Sequence, residues 1–367
     1  MKKTYLFIFG TRPEAIKLAP LIIKFIEKKA KVVVCNTGQH RDLVDDVLTL
    51  FDIKIDFDLQ IMKENQDLFS LTSNLISKIK NVLEISKPNY VFVHGDTTTC
   101  FASSLATFYS KLKLVHVEAG LRTNNKYSPF PEEMNRQLVS KMADIHLCPT
   151  NEAKQNLLEE GIVKHKIFIT GNTVVDALLL AKDKINIQDK IDIKKLINKE
   201  KFILFTGHRR ENFGDGFKNI FEALLEIARN NLEVQIIYPV HPNPNVKKEA
   251  VRLLGKIPNI LLTDPVKYGD FIWLMENCEL IITDSGGIQE EAPSFNKIVV
   301  VTRESTERTE SLVDGNSIIV GSDKQKLIET VNELLHDVTK EKVFLKSNNP
   351  FGSGQACEQI YSILNAQ

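Results

Sequence analysis

The stretch "LIITDSGGIQEEAP", residues 280–293, decides how the chain is read. A short apolar run ends at Asp284, Ser285-Gly286-Gly287 follow, and a helix-like segment then carries Glu290 and Glu291. A buried strand that runs through glycines into a helix start is a building block of parallel α/β sheets. The glycines let a backbone approach a ligand closely, and the amides of a helix start suit an anion. Two carboxylates within the next turn do not. The ligand has to satisfy both.

The same grammar extends outward in both directions. "KFILFTGH", "EVQIIYPVH", "NILLTDP" and "KIVVVTRE" accompany that strand in the second half. The first half offers "TYLFIFG", "KVVVCNTG", "YVFVHGD", "LKLVHVEAG", "IHLCPT" and "KIFITGN", with amphipathic stretches such as "PEAIKLAPLIIKFIEKK" between them. Near-continuously apolar strands alternating with helices predict parallel sheets covered on both faces. The charged segment 181–201, "AKDKINIQDKIDIKKLINKEK", lacks a strand pattern and marks the boundary region. The expected architecture is α/β: two doubly wound Rossmann-like domains facing a cleft. The first covers 1–175 and is joined by a C-terminal helix at about 353–367; the second covers 176–352.

Bulk composition excludes several classes of function. The 367 residues suffice for about two domains. Forty-seven basic and forty-seven acidic residues cancel, so no global field draws nucleic acid or an anionic membrane. Cys35, Cys100, Cys148, Cys278 and Cys357 are scattered with no C-x-x-C pair, which argues against a zinc site or disulfide framework and for a reducing cytoplasm. No apolar run approaches the roughly 20 residues of a membrane span. The start, "MKKTYLFIFG", is too short in its apolar part for a signal peptide and reads as a first strand.

Ligands of open parallel sheets bind outside the carboxyl ends of the strands. Arg12, Gln39, His40, Asp96, Glu118, His208, His241 and Asp284 all fall there. A helix cap or turn is the ordinary explanation of each alone; together, in both halves, they point to a shared site. "GTRPEAIK" is neither G-x-G-x-x-G nor a P-loop, which weakens dinucleotide and P-loop readings. Its Arg12 presents a planar cationic fork suited to phosphate. "SPFPEEMNR" adds Glu132, Glu133 and Arg136 at a helix start, where acids also serve the dipole. Converging carboxylates suit acid–base chemistry at carbon. A divalent metal is the competing use, but no EF-hand or H-E-x-x-H pattern is present, so metal-free chemistry is preferred. "TGHRRENFG" and "TRESTERTE" contribute His208, Arg209, Arg303 and Arg308, which with the Ser285-Gly286-Gly287 turn suit a diphosphate.

Taken in order, "GTRPEAIKLAPL", "GQHRD", "VHGDTTT", "HVEAGLRT", "PEEMNR", "TGNTVVDAL", "TGHRREN", "YPVHPNPNV", "TDSGGIQEEAPS" and "GQAC" closely resemble the non-hydrolysing UDP-N-acetylglucosamine 2-epimerases of bacteria. The resemblance runs from Phe9 to about Cys357. It implies a GT-B-like fold, a homodimer and interconversion of UDP-GlcNAc and UDP-ManNAc without a cofactor or metal. It also implies anti elimination of UDP and its re-addition to a 2-acetamidoglucal. By position, Asp96, Glu118, Glu132 and His208 match catalytic residues. Arg12, Lys17, Arg136, Phe271, Ser285, Gly286, Gly287, Glu291 and Arg308 match substrate-binding positions, with Glu291 toward the ribose. Gln39, His40, Gln66, Arg209 and His241 match an allosteric pocket that takes UDP-GlcNAc as activator. Val266, Thr309 and Asn65 stand where many members carry Gln, Pro and Gly, which bears on substrate identity more than on reaction class. A glycosyltransferase or an epimerase of another UDP-2-acetamido sugar would share the fold and the UDP cradle.

Overall fold

In a computed structural model the chain is described at residues 2–39, 41–62, 66–188, 191–209, 212–304, 306, 308–313, 316–336 and 349–366; the side chains of 41–43, 186–188, 245, 309 and 313 are outside the description. The chain forms two compact units, Met1–Leu180 with Phe351–Gln367, and Ala181–Pro350.

The first unit is built on a parallel sheet. Its strands are β1 (Thr4–Phe9), β2 (Lys31–Asn36), β3 (Phe57–Asp58), β4 (Tyr90–His94), β5 (Lys113–Val117), β6 (Ile145–Cys148) and β7 (Ile167–Ile169). They lie in the order β3-β2-β1-β4-β5-β6-β7, so the winding reverses between β1 and β4. Helices α1 (Arg12–Glu27), α2 (Arg41–Phe51), α3 (Leu68–Ser86), α4 (Thr98–Tyr109), α5 (Glu132–Met142), α6 (Asn151–Glu159) and α7 (Thr173–Gln188) connect or follow them. Every residue of β1 and β4 is buried, as strands covered on both faces require. Phe7 and Phe92 stack across that pair at 4.4 Å, and Phe25 of α1 meets Phe92 edge-on at 5.5 Å.

The second unit repeats the scheme with β8 (Lys201–Thr206), β9 (Val234–Pro239), β10 (Ile260–Thr263), β11 (Ile281–Thr283), β12 (Val299–Val301) and β13 (Ser317–Ile319). Their order is β10-β9-β8-β11-β12-β13, with the reversal between β8 and β11. Helices α8 (Asp215–Asn230), α9 (Pro244–Leu254), α10 (Tyr268–Asn277), α11 (Gly286–Glu291), α12 (Thr309–Val313) and α13 (Lys324–His336) complete it. Phe205, Tyr238, Phe217 and Phe221 fill the core between sheet and helix.

After the second unit the chain re-enters the first through α14 (Ala356–Asn365). Asp176 of α7 accepts from the amides of Ala356 and Cys357, capping that helix start. Tyr361 meets Phe25 edge-on at 5.1 Å, and Glu358 pairs with Lys24 and Lys28. The sequence pattern did not reveal β3 and β13. Both are edge strands, of two and three residues. The charged boundary segment begins as a continuation of α7. All five cysteines are free and buried. No described helix is long and apolar enough to cross a membrane.

Candidate active site

In the first unit, the turns after β1, β4 and β5 carry the predicted groups. Thr11 caps α1, Arg12 opens it, and Pro13 sits in its first turn, where a missing amide costs little. Lys17, one turn further, is buried and forms an ion pair with Glu118 Oε2. Glu118 follows β5 with φ of +62°, a left-handed backbone that non-glycine residues seldom adopt. Such conformations persist where the surroundings enforce them.

Those surroundings are specific. Asn172 Nδ2 donates to Glu118 Oε2 at 3.0 Å, and His94 Nε2 lies 3.5 Å from the same atom. Arg136 Nη2 reaches Glu118 Oε1 at 3.3 Å, while Nη1 donates to the Glu118 carbonyl. The same guanidinium holds Asp96: Nε donates to Oδ2 at 3.1 Å, and Nη2 bonds that oxygen too. Asn135 Nδ2 donates to the Asp96 carbonyl at 2.9 Å. One arginine therefore joins the carboxylates of two neighbouring strand ends. Burial pushes the Glu118 pKa up, but Lys17, then His94 and Arg136, outweigh it and hold the acid well below the usual carboxylate range. Glu118 is an anion at rest.

Glu132 is the first residue of α5 and half-buried. Its neighbour Glu133 is buried and committed locally, accepting from Thr123 N at 3.0 Å and Gln137 Nε2 at 2.8 Å. Gln39 accepts from Thr99 Oγ1 at 3.0 Å, beside the turn after β1. Gln66 is half-buried just ahead of the Asp67 cap of α3. His40 lies outside the described residues.

In the second unit, Asp284 organises the turns after β8 and β11. It is fully buried and accepts from the amides of His208 and Arg209, each at 2.9 Å, and from Asn212 Nδ2 at 3.3 Å. His208 Nδ1 stands 3.4 Å from Asp284 Oδ1. The rings of His208 and His241 stack at 5.3 Å with planes 16° apart. Burial lowers the His208 pKa and the Asp284 carboxylate raises it; Arg209 and His241 add to the depression, and lowering wins.

Ser285 is the N-cap of α11, and Gly286 and Gly287 open that helix. A Cβ on Gly286 would come within 2.8 Å of Arg308 Cζ, so the glycine is what lets the guanidinium lie against the turn. Arg308 Nε donates to the buried Glu290 at 2.9 Å. Glu291, at the end of α11, is met by Tyr268 Oη at 3.4 Å, and Phe271 is half-buried on α10. Glycine turn, cation and acid thus belong to one local assembly.

A profile of the UDP-N-acetylglucosamine 2-epimerase family matches residues 24–365. The chain belongs to that family. A UDP-N-acetylglucosamine 2-epimerase of Campylobacter jejuni is 51% identical over 99% of this chain and 98% of its own. That of Escherichia coli K12 is 48% identical over 98% and 97%. Among solved structures, UDP-GlcNAc 2-epimerase from Neisseria meningitidis bound to UDP-GlcNAc superposes with a TM-score of 0.94 at 46% identity, covering 99% of this chain and 100% of that one. Both parallel sheets, seven- and six-stranded, conform to the GT-B-like fold of these epimerase structures.

Motif reading passed over some of the residues that hold these groups in place. Asn172, in "TGNTVVDAL", follows β7 on the same carboxyl edge as Asp96 and Glu118, and the strand-edge rule applied to β7 finds it. Asn135 and Tyr268 stand on helices, and no spacing rule marks them.

Proposed function

We propose that this chain interconverts UDP-GlcNAc and UDP-ManNAc by inverting C2. In this reading a carboxylate removes the C2 proton while the C1–O bond to UDP breaks on the opposite face. The products are a 2-acetamidoglucal and UDP. Return of a proton to the other face of C2, with attack of the UDP oxygen on C1, completes the inversion. Nothing is oxidised, and the proton taken is the proton returned or its solvent equivalent.

The observation that carries this reading is the cluster of Asp96 and Glu118 around one buried Arg136, in a chain of this family. The C2 hydrogen is a weak acid, so proton removal needs a preorganised carboxylate and departure of a stabilised diphosphate. Asp96, Glu118 and Glu132 supply the carboxyl groups. Arg12 and Lys17 favour negative charge near them. His208, Ser285, Gly286, Gly287 and Arg308 bind the diphosphate, Glu291 the ribose hydroxyls and Phe271 the uracil. Gln39, His40, Gln66, Arg209 and His241 form the activator pocket, and the working enzyme is a cytoplasmic homodimer that supplies surface polysaccharides.

The test is isotopic. UDP-GlcNAc incubated with the enzyme in D2O, without any acceptor, should take up deuterium at C2 and settle to a persisting mixture of two UDP-sugars. Binding without exchange would exclude the epimerase reading and leave a glycosyltransferase. Release of free sugar and UDP would mark a hydrolysing enzyme.

A further inference from the structure

We propose that Glu14 is a positioning residue, acting through Thr97 on Asp96. The inference rests on the function proposed above and concerns a side chain that none of its steps uses. Glu14 stands on α1 between Arg12 and Lys17 and is 1% exposed. Its carboxylate collects four donors: Gly10 N at 3.0 Å, Thr11 N at 2.9 Å, Thr11 Oγ1 at 2.9 Å and Thr97 Oγ1 at 2.6 Å.

Three of these donors are local and do what a capping box does. The fourth comes from a residue 83 positions away, on the turn after β4. Thr97 is the neighbour of Asp96 and the N-cap of α4, where its Oγ1 also accepts from Cys100 N at 3.0 Å. A single hydroxyl therefore ties the start of α1 to the start of α4. Strands β1 and β4 are adjacent, and the winding reverses between them, so the tie spans the switch point of the sheet.

The segment bearing Asp96 is then held on both sides. Asn135 grips its carbonyl and Arg136 its carboxylate from α5, and the Glu14–Thr97 bond fixes the next residue from α1. Capping alone requires no partner outside the first turn of α1. A buried carboxylate shared between two turns sets Arg12 and Lys17 in register with Asp96. Misplacement of a reacting group by about 1 Å can cost about 100-fold in rate.

Thr97→Val removes the donor, Thr97→Ser keeps it, and Glu14→Gln weakens the acceptor. With UDP-GlcNAc as substrate, Thr97→Val should lower kcat by about 10- to 100-fold while the Kd for UDP moves less than about twofold. Thr97→Ser should restore most of the rate. Glu14→Gln and Thr97→Val combined should be no slower than the worse single variant, because both break one bond. Thr97→Ala replaces the valine variant should that one fail to fold. Wild-type turnover in a folded Thr97→Val, or rate losses that multiply in the double variant, would overturn the inference. A wild-type protein that exchanges no C2 hydrogen would instead overturn the proposed function, and with it this role, so the two failures are told apart by the control.

Discussion

Arg308 Nε donates to Glu290 Oε1 at 2.9 Å, and the acid that receives it is almost wholly buried. Removing one member of such a pair leaves the other desolvated, at a cost of roughly 3–5 kcal/mol. Glu290→Ala should therefore lower thermal stability clearly and weaken UDP binding, since the guanidinium loses this anchor. Glu290→Gln keeps an acceptor in place and should retain most of both. Thermal unfolding and calorimetric UDP titration of the two variants distinguish them; equal behaviour would mean that the bond does not hold Arg308.

Two glycines should fail differently. A Cβ on Gly120 would lie 2.1 Å from the Ala153 carbonyl, on a backbone with φ of +92°. Gly120→Ala should cost more than about 2 kcal/mol of stability, because both the contact and the conformation are unfavourable. On Gly286 the obstacle is the guanidinium of Arg308, which can move aside. Gly286→Ala should cost less stability than Gly120→Ala and weaken UDP binding about tenfold or more through the displaced donor. Denaturant unfolding and UDP titration on the same preparations test the contrast.

Asp96→Asn should keep the shape of the side chain and lose its proton chemistry. General acid–base groups contribute about 100-fold or more, so kcat and the rate of C2 deuterium uptake should fall by at least that factor. UDP affinity should change little, because the proposed diphosphate contacts lie elsewhere. Wild-type exchange in this variant would remove Asp96 from the reaction.

His146, buried in β6, predicts acid sensitivity. Burial, then Lys166 and Arg122, lowers its pKa to about 4. The unfolded chain then binds a proton more readily than the folded one between about 6.5 and 4. The contribution to stability is complete above that window and is lost as pH falls through it, by about 3 kcal/mol at most. His146→Leu should flatten this part of the stability–pH curve. A curve of unchanged slope would show that the imidazole does not titrate there.

The fold was legible because its strands are short apolar runs ending in polar turns, and the carboxyl-edge rule marks Arg12, Asp96, Glu118 and His208 from sequence alone. The edge strands Phe57–Asp58 and Ser317–Ile319 escaped it. The supporting shell was less visible. Nothing in the spacing of Thr97 and Glu14, or of Asn172 and Glu118, announces a bond, since each depends on which strands become neighbours. Asp284 was recognised as a strand end, yet its office is to gather the amides of His208 and Arg209 across 75 or more residues of chain.

The route of the polypeptide has its own consequence for biosynthesis. The first unit is left at Leu180 and re-entered at Phe351, and Asp176 waits for the amides of Ala356 and Cys357. Domains generally fold as they leave the ribosome, N-terminal first. Here the whole of the second unit is synthesised before the segment that seals the first. The unit begun earliest is finished last, because Tyr361 can meet Phe25 only once α14 has emerged.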